Sequence, residues 1–326
     1  MKNICIVGYG AIGPIHAQGI TETKNGNLYA VCDINPAKIK LCQAQYEHVI
    51  GYTDFYEMLK DNNIDCVHIC TPHYLHYEMI TAALKASKKV ICEKPIAINR
   101  EEFDALLNNE HIDDLALVFQ NRLNPCSQVL KSIIDSRELG KILYCRALVV
   151  WNRSKEYYLA DKWRGKWATE GGGVLINQAI HTLDLMSYLV GDIQSVKANM
   201  ATYALDDTIE VEDTLSAYFK YEHGATGVFF ATNAYGTNNP PDIEIHFENG
   251  VARYVDDKLY INGELAAQNV TATGEKAYWG TTHANLVANY YDHNTYFKIT
   301  DATNTMGTLF SIYYSARNGG AEVNVK

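Results

Sequence analysis

The apolar run Ile4-Cys5-Ile6-Val7 stops at Gly8, and Gly8-Tyr9-Gly10-Ala11-Ile12-Gly13 then completes a GxGxxG pattern. Alone, such a pattern says little. Here it closes a predicted strand (3–7), opens a predicted helix (12–23), and is followed by Asp33 at the end of the next predicted strand (28–32). Strand, glycine turn, helix, strand and acid in this order are the fingerprint of a dinucleotide-binding βαβ unit. Gly8 permits the tight turn, Gly10 lets backbone approach a pyrophosphate, and Gly13 allows close helix–strand packing. Gly10, Ala11 and Ile12 then carry the free N–H groups of a helix start toward an anion. Asp33 accepts hydrogen bonds from ribose hydroxyls and repels a 2′-phosphate. The residues Ile34, Asn35, Pro36 and Ala37 supply no arginine to offset that repulsion, and Lys38 is the one nearby cation. The cofactor expected is NAD rather than NADP.

The βα rhythm continues for about a third of the chain. Helices are predicted from Pro36, over 54–60 with Thr53 as cap, over 75–85, and after Asn99, which forms a capping box with Glu102. Strands are predicted at 48–50, 66–70, 90–92 and 115–119. Alternation of this kind gives a parallel sheet covered on both faces. After Gln120 it changes to a helix over 125–135, a long strand over 142–151, a helix over 174–190, five strand-like runs over 195–203, 214–221, 226–232, 242–247 and 251–254, and two closing helices over 283–297 and 305–315. Strands so closely connected pair mostly antiparallel. The fold class is therefore α/β: a doubly wound parallel sheet over 1–121, and an α+β domain on an open, mostly antiparallel sheet over 122–326. A length of 326 residues suits two domains.

Composition excludes other classes. A net charge of −10 argues against sequence-independent nucleic-acid binding. No apolar stretch reaches membrane-spanning length, and the first apolar run is too short for a signal peptide. The 8 cysteines form no CxxC pair, and several lie within apolar runs. They read as buried thiols of a reduced, cytoplasmic protein, with no metal site.

Three segments carry candidate chemistry. Thr71-Pro72-His73-Tyr74-Leu75-His76 and Glu93-Lys94-Pro95 follow the fourth and fifth strands, whose carboxyl ends line the ligand crevice of such a sheet. A lysine held there can stabilise a developing alkoxide. Asn177, His181 and Asp184, spaced i, i+4, i+7, fall on one face of a regular helix behind the triplet Gly171-Gly172-Gly173. A histidine suits proton exchange near neutrality. Trp163 offers a flat face to a sugar, and Arg164 or Arg122 a bidentate clamp for a carboxylate or phosphate. Trp167 belongs to the same loop. The stretch Tyr278-Trp279-Gly280-Thr281-Thr282-His283 is a further candidate wall. Tyr203, Tyr218 and Tyr221 read as packing.

With these motifs in order, together with Gln120-Asn121-Arg122 and Gly171-Gly172-Gly173-Val174-Leu175, the chain resembles the Gfo/Idh/MocA family of NAD(P)-dependent sugar and inositol oxidoreductases. The resemblance implies that Lys94 is catalytic and that Thr71, Pro72, His73, His76, Glu93, Lys94 and Gln120 line the cofactor. It adds His181 as proton carrier, with Lys94, Arg122, Trp163, Arg164, Asn177 and His181 around the substrate. Many members carry Asp where Asn177 stands; Asn177 followed by Gln178 is similar to the branch acting on nucleotide-linked or acidic amino sugars. The implied activity is hydride transfer between NAD(H) and a secondary hydroxyl or keto carbon of a sugar, nucleotide sugar or inositol. An exposed sheet face in the second domain needs covering, so a homodimer or homotetramer is expected. The alternatives are a hydrolase or epimerase with tightly held NAD and no net redox turnover, and an inactive NAD-binding sensor.

Overall fold

The computed structural model describes residues 1–270 and 282–325, which form two compact units. The first unit begins with β1 (Lys2–Val7), α1 (Gly13–Glu22), β2 (Gly26–Cys32), α2 (Pro36–Gln45), β3 (Ile50–Tyr52) and α3 (Phe55–Leu59). It continues with β4 (Cys66–Ile69), α4 (His76–Lys85), β5 (Lys89–Cys92), α5 (Arg100–Leu107) and β6 (Leu115–Leu117). The sheet order is β3-β2-β1-β4-β5-β6 and every pair is parallel. This is the doubly wound dinucleotide-binding order. Its central strands are apolar on both faces because helices cover both: all four residues of β4 are buried, as are the last four of β1. Local capping sets the helix starts. Asn35 accepts from Ala37 N, Asn99 from Glu102 N, and Asp54, rather than the expected Thr53, from Glu57 N.

The second unit holds α6 (Pro125–Asp135), β7 (Ile142–Val150), α7 (Lys155–Leu159), a π-turn at Leu175–Ala179 leading into α8 (Ile180–Val190), β8 (Ile193–Ala201), β9 (Thr214–Tyr221) and β10 (Thr226–Thr232). The strands β11 (Asp242–Phe247), β12 (Gly250–Val255), β13 (Lys258–Ile261) and β14 (Glu264–Gln268) follow. The helix α9 (Thr282–His293) belongs to the first unit, while α10 (Thr303–Arg317) and β15 (Val323–Asn324) return to the second. The nine strands run β14-β13-β12-β11-β7-β10-β9-β8-β15, with β7–β10 the one parallel pair among the described residues. Alternate residues of β9 are buried, and those between them, such as Tyr218, stay exposed. Tyr221 packs in the core as expected, whereas Tyr203 lies beyond β8 and is 74% exposed.

One segment departs from the reading that put all of 122–326 in one domain. The α9 helix packs on α1 because Gly19 has no side chain: a Cβ there would come within 3.2 Å of Val287 Cβ. Asp292 then accepts from the backbone N–H groups of Lys24 and Asn25, just past the end of α1. Hydrophobic periodicity reports that a helix has a buried face but not which distant element covers it.

Docking α9 completes a buried polar cluster. His16 of α1 places Nε2 2.9 Å from Glu93 Oε1 and Nδ1 2.9 Å from His68 Nδ1. His283 Nε2 lies 3.3 Å from the same Glu93 oxygen, and His68 Nε2 is 2.8 Å from the Tyr291 hydroxyl. All four of His16, His68, Glu93 and His283 are buried. Burial alone would raise the Glu93 carboxyl, but hydrogen bonds from His16 and His283 outweigh it and hold the group well below the ordinary range. Burial would likewise lower His16, yet the Cys70 sulfur and the Glu93 carboxylate hold it up at about 10. Burial, with the adjacent His16 charge, keeps His68 neutral. His16 is thus the cation that donates from both ring nitrogens, and His68 accepts at Nδ1 and donates from Nε2 to Tyr291. Because His16 is raised on folding, its stabilisation is complete below about pH 6.5 and is lost as pH rises through about 10. His16→Leu is expected to cost about 3–5 kcal/mol near neutrality, as for other broken buried pairs. The gap to the unmodified protein narrows near pH 10, which denaturant unfolding at the two pH values measures.

Candidate active site

The glycines of the 8–13 loop divide by what surrounds them. Gly8 has φ +89°, and a Cβ there would lie 2.6 Å from Cys70 O; a Cβ on Gly13 would lie 2.5 Å from Gly8 O. Both are needed by the protein's own backbone. A Cβ on Gly10 would meet nothing within 4 Å, and Gly10 and Ala11 are exposed, with Ile12 partly so. The open backbone at Gly10 is therefore the part of the loop shaped for something other than protein. Asp33 fastens the loop, with Oδ2 accepting from Tyr9 N and Oδ1 from Asn35 N, both at 2.8 Å. Its carboxylate is part-exposed and keeps lone pairs for ribose hydroxyls. Open backbone, a helix start and a carboxylate one strand away fit a dinucleotide.

The other expected cofactor residues follow the carboxyl ends of β4, β5 and β6, but their side chains serve different purposes. Thr71 and Pro72 are partly exposed. His73 is buried. His76 is fully buried, with Nδ1 2.6 Å from Pro95 O and Nε2 2.8 Å from Thr71 O. It ties the loop after β4 to the loop after β5, and burial lowers its pKa. The Glu93 side chain faces His16 and His283 inside the unit. His76 and Glu93 therefore brace the loops from behind, where the sequence reading has them lining the cofactor. Lys94, which follows Glu93, is partly exposed and precedes a cis peptide bond to Pro95. Gln120 is buried, and its Oε1 has no hydrogen-bond partner among the described residues. His16 escapes sequence reasoning, and His283 is named there only as a candidate wall and not as a partner of Glu93, because a histidine after a glycine loop, or 190 residues from its partner, carries no local signal of that pairing.

In the second unit, backbone crowding explains the glycine triplet. A Cβ on Gly172 would fall on the Tyr313 hydroxyl, and one on Gly173 on Glu212 O. Glu212 is buried and holds the helix start: Oε2 accepts from Gly173 N at 2.9 Å, and Oε1 from Leu175 N and the Tyr313 hydroxyl, both at 3.0 Å. Burial raises its carboxyl to about 7 despite these donors. The chain then winds through the π-turn, a feature common at functional sites. Asn177 and His181 are partly exposed, but Asp184 is buried. Regular helical spacing puts the three on one face; the wider π-turn interrupts that register.

Asp184 receives Arg122 bidentately, Nε to Oδ2 at 2.8 Å and Nη2 to Oδ1 at 2.5 Å, and Thr305 Oγ1 at 2.9 Å. Arg122 is 5% exposed, so the expected anion clamp is instead half of a buried ion pair. Arg164 pairs with Asp161 at 2.5 Å and lies 4.3 Å over the Tyr157 ring and 5.2 Å over Trp163. Trp163 is partly exposed. Trp167 donates to Glu210 O and packs against a small core cluster of Tyr158, Leu205, Ile209 and Val211. Sequence reasoning missed Glu170, which is fully buried and accepts from Asn177 Nδ2 at 2.6 Å. Of the stretch 278–283, residues Tyr278, Trp279, Gly280 and Thr281 lie outside the described residues; Thr282 and His283 are buried in the first unit.

Comparison with known proteins agrees with this geometry. Residues 2–117 match the model of an oxidoreductase family with an NAD-binding Rossmann fold, and residues 127–253 match the GFO/IDH/MocA C-terminal domain. The crystal structure of the WlbA dehydrogenase from Bordetella pertussis, in complex with NADH and UDP-GlcNAcA, is similar over 100% of this chain and 99% of that one, with TM-score 0.85 and 28% identity. Levoglucosan dehydrogenase of Pseudarthrobacter phenanthrenivorans is 28% identical over 68% of this chain and 63% of its own length. Myo-inositol 2-dehydrogenase of Thermotoga maritima is 27% identical over 69% of this chain and 66% of its own. The chain thus spans just under two thirds of the length of these two curated relatives. With an open phosphate loop in a parallel sheet of the dinucleotide-binding order and both family domains matched in sequence, the chain belongs to the GFO/IDH/MocA oxidoreductase family.

Proposed function

We propose that the protein oxidises or reduces a secondary hydroxyl or keto carbon of a sugar, nucleotide sugar or inositol, with NAD as cofactor. The observation that carries this reading is the open backbone at Gly10, fastened through Tyr9 N to Asp33. Gly10, Ala11, Ile12 and Asp33 hold the dinucleotide, with Thr71, Pro72, His73 and Gln120 at neighbouring strand ends. When bound, its nicotinamide accepts or supplies hydride. Lys94 binds the reacting hydroxyl and favours its alkoxide form, and His181 takes the hydroxyl proton. Asn177 orients the substrate and Trp163 covers an apolar sugar face. Arg164 receives an anionic group; its guanidinium is held flat by Tyr157 and Trp163. UDP-GlcNAcA, bound by the WlbA dehydrogenase, and levoglucosan and myo-inositol, for which the two relatives are named, define the probes to try first.

Two further proposals concern setting. No helix among the described residues is long and apolar enough to cross a membrane, and all 8 cysteines are buried and unbridged, which supports a cytoplasmic protein. The outward sheet face of the second unit exposes Tyr144, Tyr218 and Val228 on neighbouring strands. A second copy covering that face supports a homodimer or homotetramer.

Absorbance of NADH with each probe tests the activity; no turnover with any inositol, free sugar or nucleotide sugar would count against it. NAD is expected to bind more tightly than NADP, and Asp33→Ser to narrow that gap. Equal affinities in the unmodified protein would refute the assignment of Asp33. Lys94→Ala and His181→Ala are each expected to lower kcat by roughly 10²–10⁴-fold with NAD affinity nearly unchanged, and only His181→Ala should lose the rising limb of the kcat pH profile. Arg164→Ala is expected to raise KM for an anionic substrate by about 1.5–3 kcal/mol. Arg122→Ala should instead lower Tm, because it strands Asp184 in the core.

A further inference from the structure

Glu170 sits where the substrate-side elements of the second unit meet. It immediately precedes the glycine triplet and is 0% exposed. Its Oε2 accepts from Gly165 N at 2.5 Å, which closes the loop bearing Trp163 and Arg164. Its Oε1 accepts from Asn177 Nδ2 at 2.6 Å. A group buried this completely does not touch substrate, so any role it has runs through Asn177 and the loop.

Hydrogen-bond chemistry makes the two oxygens unequal. A backbone N–H only donates, so Oε2 opposite Gly165 stays an acceptor in every protonation state. A proton on Oε1 leaves Oε2 to accept from Gly165 at full strength and sets the O–H against Asn177. An O–H there needs an acceptor, which the Asn177 amide supplies by turning its oxygen inward in place of its nitrogen. We propose that Glu170 is the positioning residue that selects which end of the Asn177 amide faces the substrate. This rests on the reading above that Asn177 contacts substrate. Ionised Glu170 holds Nδ2 inward and turns the amide oxygen toward the substrate, suited to accept from an alcohol. Protonated Glu170 holds the oxygen and turns the NH₂ outward, suited to donate to a ketone or carboxylate.

The surroundings bring this exchange to neutral pH. Burial raises the carboxyl to about 7; the donors Asn177 and Gly165 oppose the rise, the nearby Glu212 carboxylate adds to it, and Arg164 reduces it. The phenols of Tyr157, Tyr158 and Tyr313 also lie close to Glu170, and burial holds them above their ordinary value and therefore neutral here. Glu170→Gln mimics the protonated state at every pH, since its amide oxygen can accept from Gly165 and its NH₂ donate to Asn177.

The test uses the full-length protein with NAD bound. The side-chain ¹⁵N amide resonance of Asn177, identified by its loss in Asn177→Asp, is followed across pH. It is expected to titrate with a midpoint near 7 in the unmodified protein, with a displaced midpoint in Glu170→Asp, and not at all in Glu170→Gln. In steady-state assays with UDP-GlcNAcA, levoglucosan and myo-inositol, KM for whichever alcohol turns over is expected to fall as pH rises through that midpoint. Glu170→Gln should fix KM about three- to tenfold higher, near the low-pH value, with kcat changed less and Glu170→Asp restoring part of the loss. An Asn177 resonance that ignores pH, or that still titrates in Glu170→Gln, overturns the proposal. So does a titrating amide with an unaltered KM. If the amide titrates as expected but none of the three probes turns over, the amide switch stands and the substrate reading is what fails.

Discussion

A carboxylate taken out of water must be met by donors or by a cation, and both units are organised around places where this is done. Glu93 is met by His16 and His283, Asp184 by Arg122 and Thr305, and Glu212 by two backbone N–H groups and Tyr313. The donors come from segments far apart in sequence. Each such group left unpaired would cost several kcal/mol. The requirement therefore fixes α9 against the first sheet, α10 against α8, and the start of the 174–190 helix against the chain at Glu212. The glycines serve the same end. Gly172 and Gly173 remove side chains where a phenol or a second backbone approaches too closely for a Cβ, and Gly19 removes one where it would press on the Val287 side chain at 3.2 Å.

This arrangement separates the residues that hold from those that can act. His16, His76, Glu93, Glu170 and Glu212 are buried, with their polar atoms turned on protein. Lys94, Asn177, His181, Trp163 and the loop at Gly10 keep exposed surface. Three of the second set lie next to members of the first: Lys94 follows Glu93, Asn177 bonds Glu170, and Glu212 caps the helix leading to Asn177 and His181. A rigid backing fixed by buried hydrogen bonds is what a catalytic side chain on a loop or helix start needs to stay in reacting geometry.

How far the sequence carries follows the same division. Features encoded within a dozen residues are legible: the glycine loop and Asp33, the caps at Asn35 and Asn99, the alternation of β9 and β10, and the change from parallel to antiparallel strands near residue 120. The strands 214–221, 226–232 and 242–247 are predicted to the residue. Features that depend on a distant partner are not. Arg122 looks like an anion clamp until Asp184 is found 62 residues on, and Glu93 looks like a cofactor contact until His283 arrives from α9. The π-turn is invisible for a related reason. Nothing in the run 175–179 departs from ordinary helical composition, and the residue at which the turn begins, Leu175, is anchored by Glu212, 37 residues away in sequence.

The substitution of Asn for Asp at position 177 takes on a different meaning in this light. Judged by sequence, Asn177 removes a charge beside the proton carrier. In the fold a carboxyl is still present one hydrogen bond behind it, on Glu170, where burial has lifted it to about 7. A second carboxylate at position 177 would face Glu170 at hydrogen-bond distance, with Glu212 already close, and at least one of the three would have to stay protonated. An amide avoids that repulsion and can bond Glu170 in either of its states. The amide at 177 thus spares the buried carboxyl a like charge, and the carboxyl in turn holds the amide by a hydrogen bond.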